Sequence, residues 1–189
     1  MANVFEFLAE GFEEIEALAP VDILRRGGVD VKTVSISSSE WVTSSHGVTV
    51  KADLVFGSPA DYADADLLML PGGLPGSTNL NAHDGVRRAL LDQYERGRRV
   101  AAICAAPMVF GSLGILRGKR ATCSPGFEKY LDGAEYTAEL VTVDGNIITG
   151  KGPAASLPYA YTLLSLFVGE DQVRQLQVGM QYAQLMGWQ

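Results

Sequence analysis

The chain has 189 residues, of which 47% are hydrophobic and 20% charged, and its formal net charge is −7. This length suits one soluble domain with a sizeable core, so we expect residues 1–189 to form a single domain. The acidic balance argues against nucleic acid or an anionic membrane as partner, because both select basic surfaces. No stretch approaches the roughly 20 apolar residues of a membrane-spanning helix, and the N-terminus lacks the basic start of a secretory signal.

The only two cysteines are Cys104 and Cys123. They do not form the framework of paired cysteines that secreted domains use, which favours a reducing, cytoplasmic location. The sequence leaves open whether the two sulfurs form a disulfide.

The first half of the chain alternates predicted strands and helices. The first predicted helix has a partly apolar face that includes Ile15, Leu18 and Val21. A continuous apolar run at residues 66–70 is typical of a central parallel strand buried on both faces. In chain order we predict a strand at 4–9, a helix at 13–26, a strand at 29–36, a polar stretch at 37–46, short extended pieces at 48–50 and 54–56, and the strand at 66–70.

The second half continues the alternation. The Asp144-Gly145 pair between two short apolar segments is a strong signal for a β-hairpin. Pro153 suits the first turn of the helix that follows. We predict a helix at 84–96, a strand at 99–103, a helix at 108–116, a strand at 120–123, hairpin strands at 140–143 and 146–149, and helices at 152–167 and 171–186.

Strands that alternate with helices form a mostly parallel sheet covered on both sides. Ligands bind such sheets at the carboxyl ends of the strands. Three short turns are expected at that edge, at residues 10–16, 71–75 and 104–107. The sequence therefore places its candidate site where these turns meet.

Cys104 lies where the strand at 99–103 turns directly into a helix. We expect such a residue to occupy a sharp, exposed corner, with the helix N-terminus directed at its sulfur. This setting favours the reactive thiolate. The alternative is that Cys104 is a small buried hydrophobic residue, as most free cysteines are.

Three acidic residues open the first predicted helix. The helix dipole alone accounts for Glu13 and Glu14, because it favours acids in a first turn. Glu16 comes one turn before the apolar positions and is predicted to face the edge of the sheet. A buried carboxyl keeps its proton at neutral pH, so Glu16 could donate to a thiolate or act as general acid and base.

Gly72 and Gly73 end the buried strand. They could serve only as a tight turn, or their N–H groups could join that of Ala105 in an oxyanion hole. His46 and His83 are the only histidines, and we expect loop or capping roles for both. Neither metal-ligand spacing nor a dinucleotide-binding glycine pattern is present, so we predict no metal and no cofactor.

Five segments of the chain, in combination, identify a protein family more specifically than any single segment does. They are residues 9–16, 20–26, 70–73, 101–107 and 149–153. In their order and spacing the sequence resembles the ThiJ/PfpI superfamily, and within it the DJ-one/ThiJ branch. The resemblance implies one flavodoxin-like α/β/α sandwich, related to class I glutamine amidotransferases, that forms a homodimer. It also implies that Cys104 is an easily oxidised nucleophile, Glu16 the protonated carboxyl beside it, and Gly72, Gly73 and Ala105 the backbone donors.

The chain departs from the pattern of this branch at two places. Ser124 stands before Pro125 where members usually carry histidine or tyrosine, and a serine cannot act as a base near neutral pH. His46 stands at a loop position where many relatives carry arginine. By the family pattern, that loop and Arg26 lie near the dimer interface and the pocket.

Three functions are consistent with these candidate residues and with the resemblance. The first is a cofactor-free enzyme that acts on α-oxoaldehydes such as methylglyoxal, or on their early adducts with thiols and amines. The second is a redox-sensing or chaperone-like protein that uses oxidation of Cys104. The third, a PfpI-type cysteine peptidase or an amidotransferase, is disfavoured because Ala105 follows the cysteine and no histidine comes later in the chain.

Overall fold

The computed structural model of the protein describes residues 2–188, and its secondary structure follows the predicted alternation closely. The strands are β1 Asn3–Leu8, β2 Asp30–Ser35, β3 Trp41–Thr43, β4 Thr49–Lys51, β5 Leu54–Val55, β6 Leu67–Leu70, β7 Arg99–Ile103, β8 Arg120–Ala121, β9 Glu135–Tyr136, β10 Val141–Asp144 and β11 Ile147–Gly150. The α-helices are α1 Glu14–Arg26, α2 Gly76–Ala82, α3 Asp84–Glu95, α4 Pro107–Ser112, α5 Ser156–Ser165, α6 Glu170–Gly179 and α7 Tyr182–Leu185. Short 3₁₀ turns occur at Pro59–Tyr62, Glu128–Tyr130 and Pro153–Ala155.

Seven strands form the central sheet, in the order β10-β11-β7-β6-β1-β2-β5. Every neighbouring pair is parallel except the β10–β11 hairpin, as predicted. One apolar core lies between the sheet and α2, α3 and α4, with Phe7, Leu90 and Phe110 fully buried. A second lies on the other face against α1 and α5. The predicted three-layer, flavodoxin-like sandwich is confirmed.

Several predicted boundaries are wrong for local reasons. The predicted helix at 171–186 is two helices, because Gln181 between them has a left-handed φ of 56°. The predicted helix at 108–116 ends at Ser112, just before Gly114 with its φ of 74°. The predicted strand at 120–123 stops at Ala121 and pairs with β9 outside the main sheet.

Several short elements were not predicted at all: strands β3 and β9, helix α2, and the 3₁₀ turns at Pro59–Tyr62 and Glu128–Tyr130. β3 lies inside the stretch predicted as polar loop and pairs with β4, burying Val42. Helix α2 follows the turn after β6. All of these elements are too short for an apolar period to show in the sequence. None of the helices within residues 2–188 is long and apolar enough to cross a bilayer.

The sequence predicts only part of the face of α1 that is buried against the sheet. Val21 is buried, whereas Ile15 and Leu18 are 55% and 38% exposed. The helix instead buries Glu16 and Ala17 toward the sheet. The true inward face is therefore rotated from the predicted one, and it brings a carboxyl group into the interior.

Candidate active site

The candidate site lies at the carboxyl edge of three adjacent strands. β1, β6 and β7 are neighbours in the sheet, and the turns that follow them are the three predicted from the sequence. The N–H of Glu13 donates to the carbonyl oxygen of Gly72 at 2.9 Å, which ties the first turn to the second.

Cys104 occupies a strained corner directly after β7. Its φ is +64°, a left-handed value that non-glycine residues rarely adopt. Its N–H donates to the carbonyl oxygen of Gly150 at 2.9 Å, and its own carbonyl oxygen accepts the N–H of Ser124 at 2.8 Å. The surrounding backbone therefore fixes the strained residue, as in the strand–turn–helix corner that presents a nucleophile in other α/β proteins.

Glu16 reaches the site because of how α1 begins. The side chain of Glu13 caps the helix, and its Oε2 accepts the N–H of Glu16 at 2.8 Å. Phe12, just before the cap, is fully buried and anchors the turn. The Glu16 side chain is fully buried as a result, as the sequence predicts.

Gly72 lies between the two reactive side chains. A Cβ atom built on Gly72 would collide with Oε2 of Glu16 and would lie 2.6 Å from Cβ of Cys104. Gly73 has a different role, because its φ is +90° and a Cβ there would lie 2.7 Å from the carbonyl oxygen of Gly11. Gly72 thus allows Glu16 and Cys104 to meet, and Gly73 allows the first two turns to pack.

The charge state of Glu16 is set mainly by its burial. Burial raises the pKa of the Glu16 carboxyl to about 7, and the charge of Glu13 adds to this, while the Cys104 thiol and the Gly72 N–H lower the pKa. Neither carboxylate oxygen makes a hydrogen bond of standard geometry among residues 2–188, so these two polar neighbours are close but not well aligned. Glu16 can therefore gain or lose a proton near neutral pH.

The charge state of Cys104 differs from the sequence prediction. Burial and then the neighbouring Glu16 carboxylate raise the pKa of the thiol to about 12, although the Ser124 side chain and the Ala105 N–H lower it. The prediction of a resident thiolate is therefore wrong. Helix α4 has only six residues, and its N-terminus does not outweigh burial and an adjacent negative charge.

The two cysteines are not linked. Cys104 and Cys123 are both free thiols, which answers the question that the sequence left open. Cys123 is fully buried, and burial raises its pKa to about 12, whereas Cys104 is partly exposed. Only Cys104 is accessible to a reagent from solvent.

The structure brings some of the predicted pocket residues to Cys104 and leaves others apart. Ser124 and Ala105 are direct neighbours of the sulfur. Arg26 pairs with Asp22 at 2.8 Å at the far end of α1, and ten residues of helical rise put it about 15 Å from Glu16. Within one chain, Arg26 is therefore not part of this site.

The two histidines have other partners. His46 is 68% exposed, and its Nδ1 lies 3.1 Å from Oε2 of Glu14, so its ring is paired with a carboxyl group of α1. Nδ1 of His83 accepts the N–H of Val86 at 3.1 Å and caps α3, the capping role that the sequence predicts. The side chains of Glu13, Glu14 and His46 come within 4.8 Å of one another, but the Glu13 carboxylate already caps α1.

Two buried polar residues near the site were not singled out from the sequence. Glu6 interrupts the apolar run of β1, and Tyr159 lies in the middle of α5. Both are buried, and the charge of Glu6 adds to the larger effect of burial in raising the pKa of Tyr159. The signal in the sequence was the lone acid inside an otherwise apolar strand.

A parallel α/β sandwich with a cysteine at a strand–helix corner and a buried glutamate beside it defines a class of flavodoxin-like proteins. Within that class the chain belongs to the DJ-1/PfpI family, whose family model matches residues 2–166. The resemblance noted from the sequence is thus confirmed.

The chain is similar to several members of this family. It is 38% identical over 169 residues to Protein DJ-1 homolog B of Arabidopsis thaliana, covering 87% of this chain but only 38% of that longer protein. It is 34% identical over 156 residues to Deglycase PH1704 of Pyrococcus horikoshii, covering 80% of this chain and 91% of the relative. The structure of oxidized DJ-1 from Toxoplasma gondii superposes with a TM-score of 0.89 at 30% identity, over 97% of this chain and all of that one.

Proposed function

We propose that the protein is a cofactor-independent cysteine enzyme that converts α-oxoaldehydes, or their early adducts on protein thiols and amines. Cys104 is the nucleophile and Glu16 the general acid and base. The observation that carries this proposal is the contact between a strained cysteine and a buried carboxyl whose pKa is about 7. The similarity to a protein named a deglycase supports the substrate class. Such an activity would serve in defence against carbonyl and oxidative stress.

The first step forms a bond between sulfur and the aldehyde carbon. The thiol proton passes to the Glu16 carboxylate as the sulfur attacks, so no free thiolate has to accumulate at a group whose pKa is about 12. The electron pair of the carbonyl bond moves to oxygen, where the N–H groups of Ala105, Gly72 and Gly73 stabilise the charge. A proton from Glu16 then completes a hemithioacetal.

The second step moves a proton between adjacent carbons. The Glu16 carboxylate removes the proton from the former aldehyde carbon and delivers it to the neighbouring carbon, while the hydroxyl proton of the hemithioacetal passes to the ketone oxygen, which becomes a hydroxyl group. The sulfur then carries a thioester. Water cleaves this thioester, releases lactate from methylglyoxal and returns the proton to sulfur, with no net oxidation or reduction.

The proposal is tested by incubating the purified protein with methylglyoxal in the absence of glutathione. We expect lactate to form with the wild type and with Cys123→Ser, because the fully buried Cys123 has no part in the reaction. Cys104→Ser should be inactive. Equal rates for Cys104→Ser and the wild type would rule out the mechanism.

A second candidate function, redox sensing or a chaperone-like role after oxidation, uses the same sulfur. It is favoured by the contrast between partly exposed Cys104 and fully buried Cys123. The structurally similar Toxoplasma gondii DJ-1 is described as oxidized. Mild peroxide should add two oxygen atoms to Cys104 and none to Cys123, and equal modification of both in a mass spectrum would exclude selective sensing.

A cysteine peptidase or amidotransferase is not supported by the same geometry. Ala105 follows the cysteine, and the ring of His46 is hydrogen-bonded to Glu14 and Ser45. A histidine base for Cys104 would have to come from outside this chain.

We further propose a cytoplasmic homodimer. The two free cysteines suit a reducing compartment. Ile15 and Leu18 expose apolar surface on α1, and the His46–Glu14 contact places the β3–β4 hairpin beside that helix. Trp41 and Val48 of the hairpin region are exposed as well. Exposed apolar side chains on adjoining elements are typical of a protein interface.

A further inference from the structure

The proposed mechanism leaves several buried polar side chains unused, among them Glu6 and Tyr159. The side chains of Glu6 in β1 and Tyr159 in α5 are both almost completely buried. Polar side chains of this kind are rarely found in a core without a purpose, because burial without a hydrogen bond is costly.

Both side chains lie in the layer that contains Glu16. In the sheet register Glu6 stands between Thr33 and Met69, on the face that packs against α1 and α5. The ring of Tyr159 packs at Gly150, where a Cβ would lie 3.0 Å from its Cδ2. Gly150 is the residue whose carbonyl oxygen holds the N–H of Cys104, so Tyr159 packs directly beneath the corner.

Glu6, Tyr159 and Glu16 each have at least one buried polar atom without a hydrogen-bond partner among residues 2–188. These atoms are Oε2 of Glu6, the hydroxyl oxygen of Tyr159 and both carboxylate oxygens of Glu16. Burial raises the pKa of the Tyr159 hydroxyl most, and the charges of Glu6 and Glu16 raise it further, so both carboxyl groups lie near this hydroxyl. A phenol is a donor and a carboxylate an acceptor, so the unmatched groups complement one another.

The other charges around these groups leave Glu6 neutral. Arg25 on α1 lowers the pKa of Glu6, but burial outweighs it and the net pKa is well above 4.5. Arg25 is itself paired with Asp53 at 2.6 Å, and the Thr33 hydroxyl also donates to Asp53. Around Glu16 the remaining ionisable groups are Glu13 and Cys104. The electrostatic surroundings of the Tyr159 hydroxyl thus include one protonated carboxyl and one that titrates.

We propose that Tyr159 is a positioning residue for Glu16, and that its hydroxyl donates to the Glu16 carboxylate when Glu16 is ionised and to the carbonyl oxygen of protonated Glu6 when Glu16 carries its proton. This assignment rests on the proposed role of Glu16 as the proton acceptor of Cys104. Tyr159 would then favour the ionised form of Glu16 from the interior side. Glu6 would provide the alternative acceptor that the hydroxyl needs in the other state.

The pH profile of Cys104 alkylation by iodoacetamide reports the titration of Glu16. The rate follows the thiolate fraction, which increases with pH until Glu16 ionises and its charge then opposes further ionisation of the thiol. The profile should therefore level off at the pKa of Glu16, about 7 in the wild type. A hydrogen bond to an ionised group corresponds to a pKa change of about 1 to 2 pH units.

The decisive variants are Tyr159→Phe and Glu6→Gln. Their Cys104 alkylation is measured as a function of pH by mass spectrometry of the Cys104 peptide. In Tyr159→Phe we expect the pH at which the alkylation rate stops rising to be higher by about 1 unit, because the ionised Glu16 has lost a hydrogen-bond donor. Glu6→Gln should leave the profile in place, since the amide is also neutral and keeps an acceptor oxygen. An unchanged profile in Tyr159→Phe would overturn the assignment, as would a downward move in Glu6→Gln, which would mean that Glu6 is charged.

A direct titration separates this assignment from the proposed function. In protein labelled with ¹³C at glutamate side chains, the Glu16 carboxyl signal gives its pKa without any use of Cys104. If Glu16→Gln does not change the alkylation profile, the proposed function fails, while the NMR titration of Tyr159→Phe still decides the role of Tyr159. Circular dichroism establishes whether Tyr159→Phe is folded, and a Glu16 pKa unchanged in the folded variant would refute the assignment.

Discussion

The Ser124 hydroxyl lies beside the Cys104 sulfur, and the Ser124 N–H donates to the Cys104 carbonyl oxygen at 2.8 Å. One residue thus helps to hold the strained backbone of the corner and also acts on its reactive atom. The hydroxyl lowers the pKa of Cys104 against the stronger effects of burial and Glu16. Serine at this place cannot act as a base, but it can stabilise the developing thiolate.

Ser124→Ala should therefore slow alkylation of Cys104 at a fixed pH. Loss of one hydrogen bond, worth about 0.5–1.5 kcal/mol, corresponds to a roughly 2- to 10-fold slower rate. Ser124→Thr keeps the hydroxyl and serves as the matched control. If both variants react at the wild-type rate with iodoacetamide, the hydroxyl has no effect on the sulfur.

Gly72→Ala should disrupt the site, because the new methyl group would collide with Glu16 and lie 2.6 Å from Cβ of Cys104. Overpacking of this kind costs about 1–3 kcal/mol, and we expect a corresponding loss in urea denaturation together with loss of methylglyoxal turnover. Gly169→Ala is the control, since a Cβ there has no neighbour within 4 Å. Full activity in Gly72→Ala would mean that Glu16 and Cys104 need not meet across this position.

The His46–Glu14 pair should titrate as a unit. The Glu14 carboxylate raises the pKa of His46 above its ordinary 6.5, and the pKa of Glu14 is lowered from 4.5, chiefly by its backbone hydrogen bond and then by His46. The pair therefore makes its full contribution to the free energy of unfolding between the ordinary pKa values of Glu14, 4.5, and His46, 6.5. This contribution is lost as pH rises through the pKa of His46 or falls through that of Glu14.

Proton NMR of the His46 ring checks this prediction. Glu14→Gln should bring the midpoint of His46 down toward 6.5, and added salt should reduce the difference because both groups reach solvent. A His46 midpoint that is the same in Glu14→Gln and the wild type would contradict the pairing.

The proposed dimer is tested by charge substitution on α1. Leu18→Glu and Ile15→Glu place a carboxylate in the exposed apolar surface, and we expect either variant to shift the protein toward monomer in sedimentation equilibrium. Leu185→Glu is the control, because Leu185 is 73% exposed on α7 at another part of the surface. An unchanged mass for the α1 variants would place any interface elsewhere.

The parts of the fold that could be predicted are those with uninterrupted local signals. The apolar runs of β6 and β7 and the Asp144-Gly145 turn define the central strands and the hairpin directly. Elements such as α2 and β3 could not be predicted, since their few residues carry no period and their structure depends on packing against distant segments.

In the candidate site, too, some features could be predicted from the sequence and others could not. The burial of Glu16 could be predicted from its spacing along one helix. The pKa of Cys104 could not, because it depends on how deeply the folded chain buries the sulfur and on a carboxylate 88 positions earlier in the sequence. The lone acid Glu6 in an apolar strand marks an unusual position, but the pattern alone does not tell whether its side chain points to solvent or to the interior.

The most direct measurement of the central claim is the pH dependence of Cys104 alkylation in the wild type and in Glu16→Gln. If the thiol and the carboxyl form one coupled pair, the wild-type rate should stop rising above pH about 7, where Glu16 ionises. Glu16→Gln should continue to rise in the alkaline range, because no neighbouring charge opposes its thiolate, and it should nonetheless lose turnover of methylglyoxal. Superimposable profiles for the two proteins would show that Glu16 does not control the reactive sulfur.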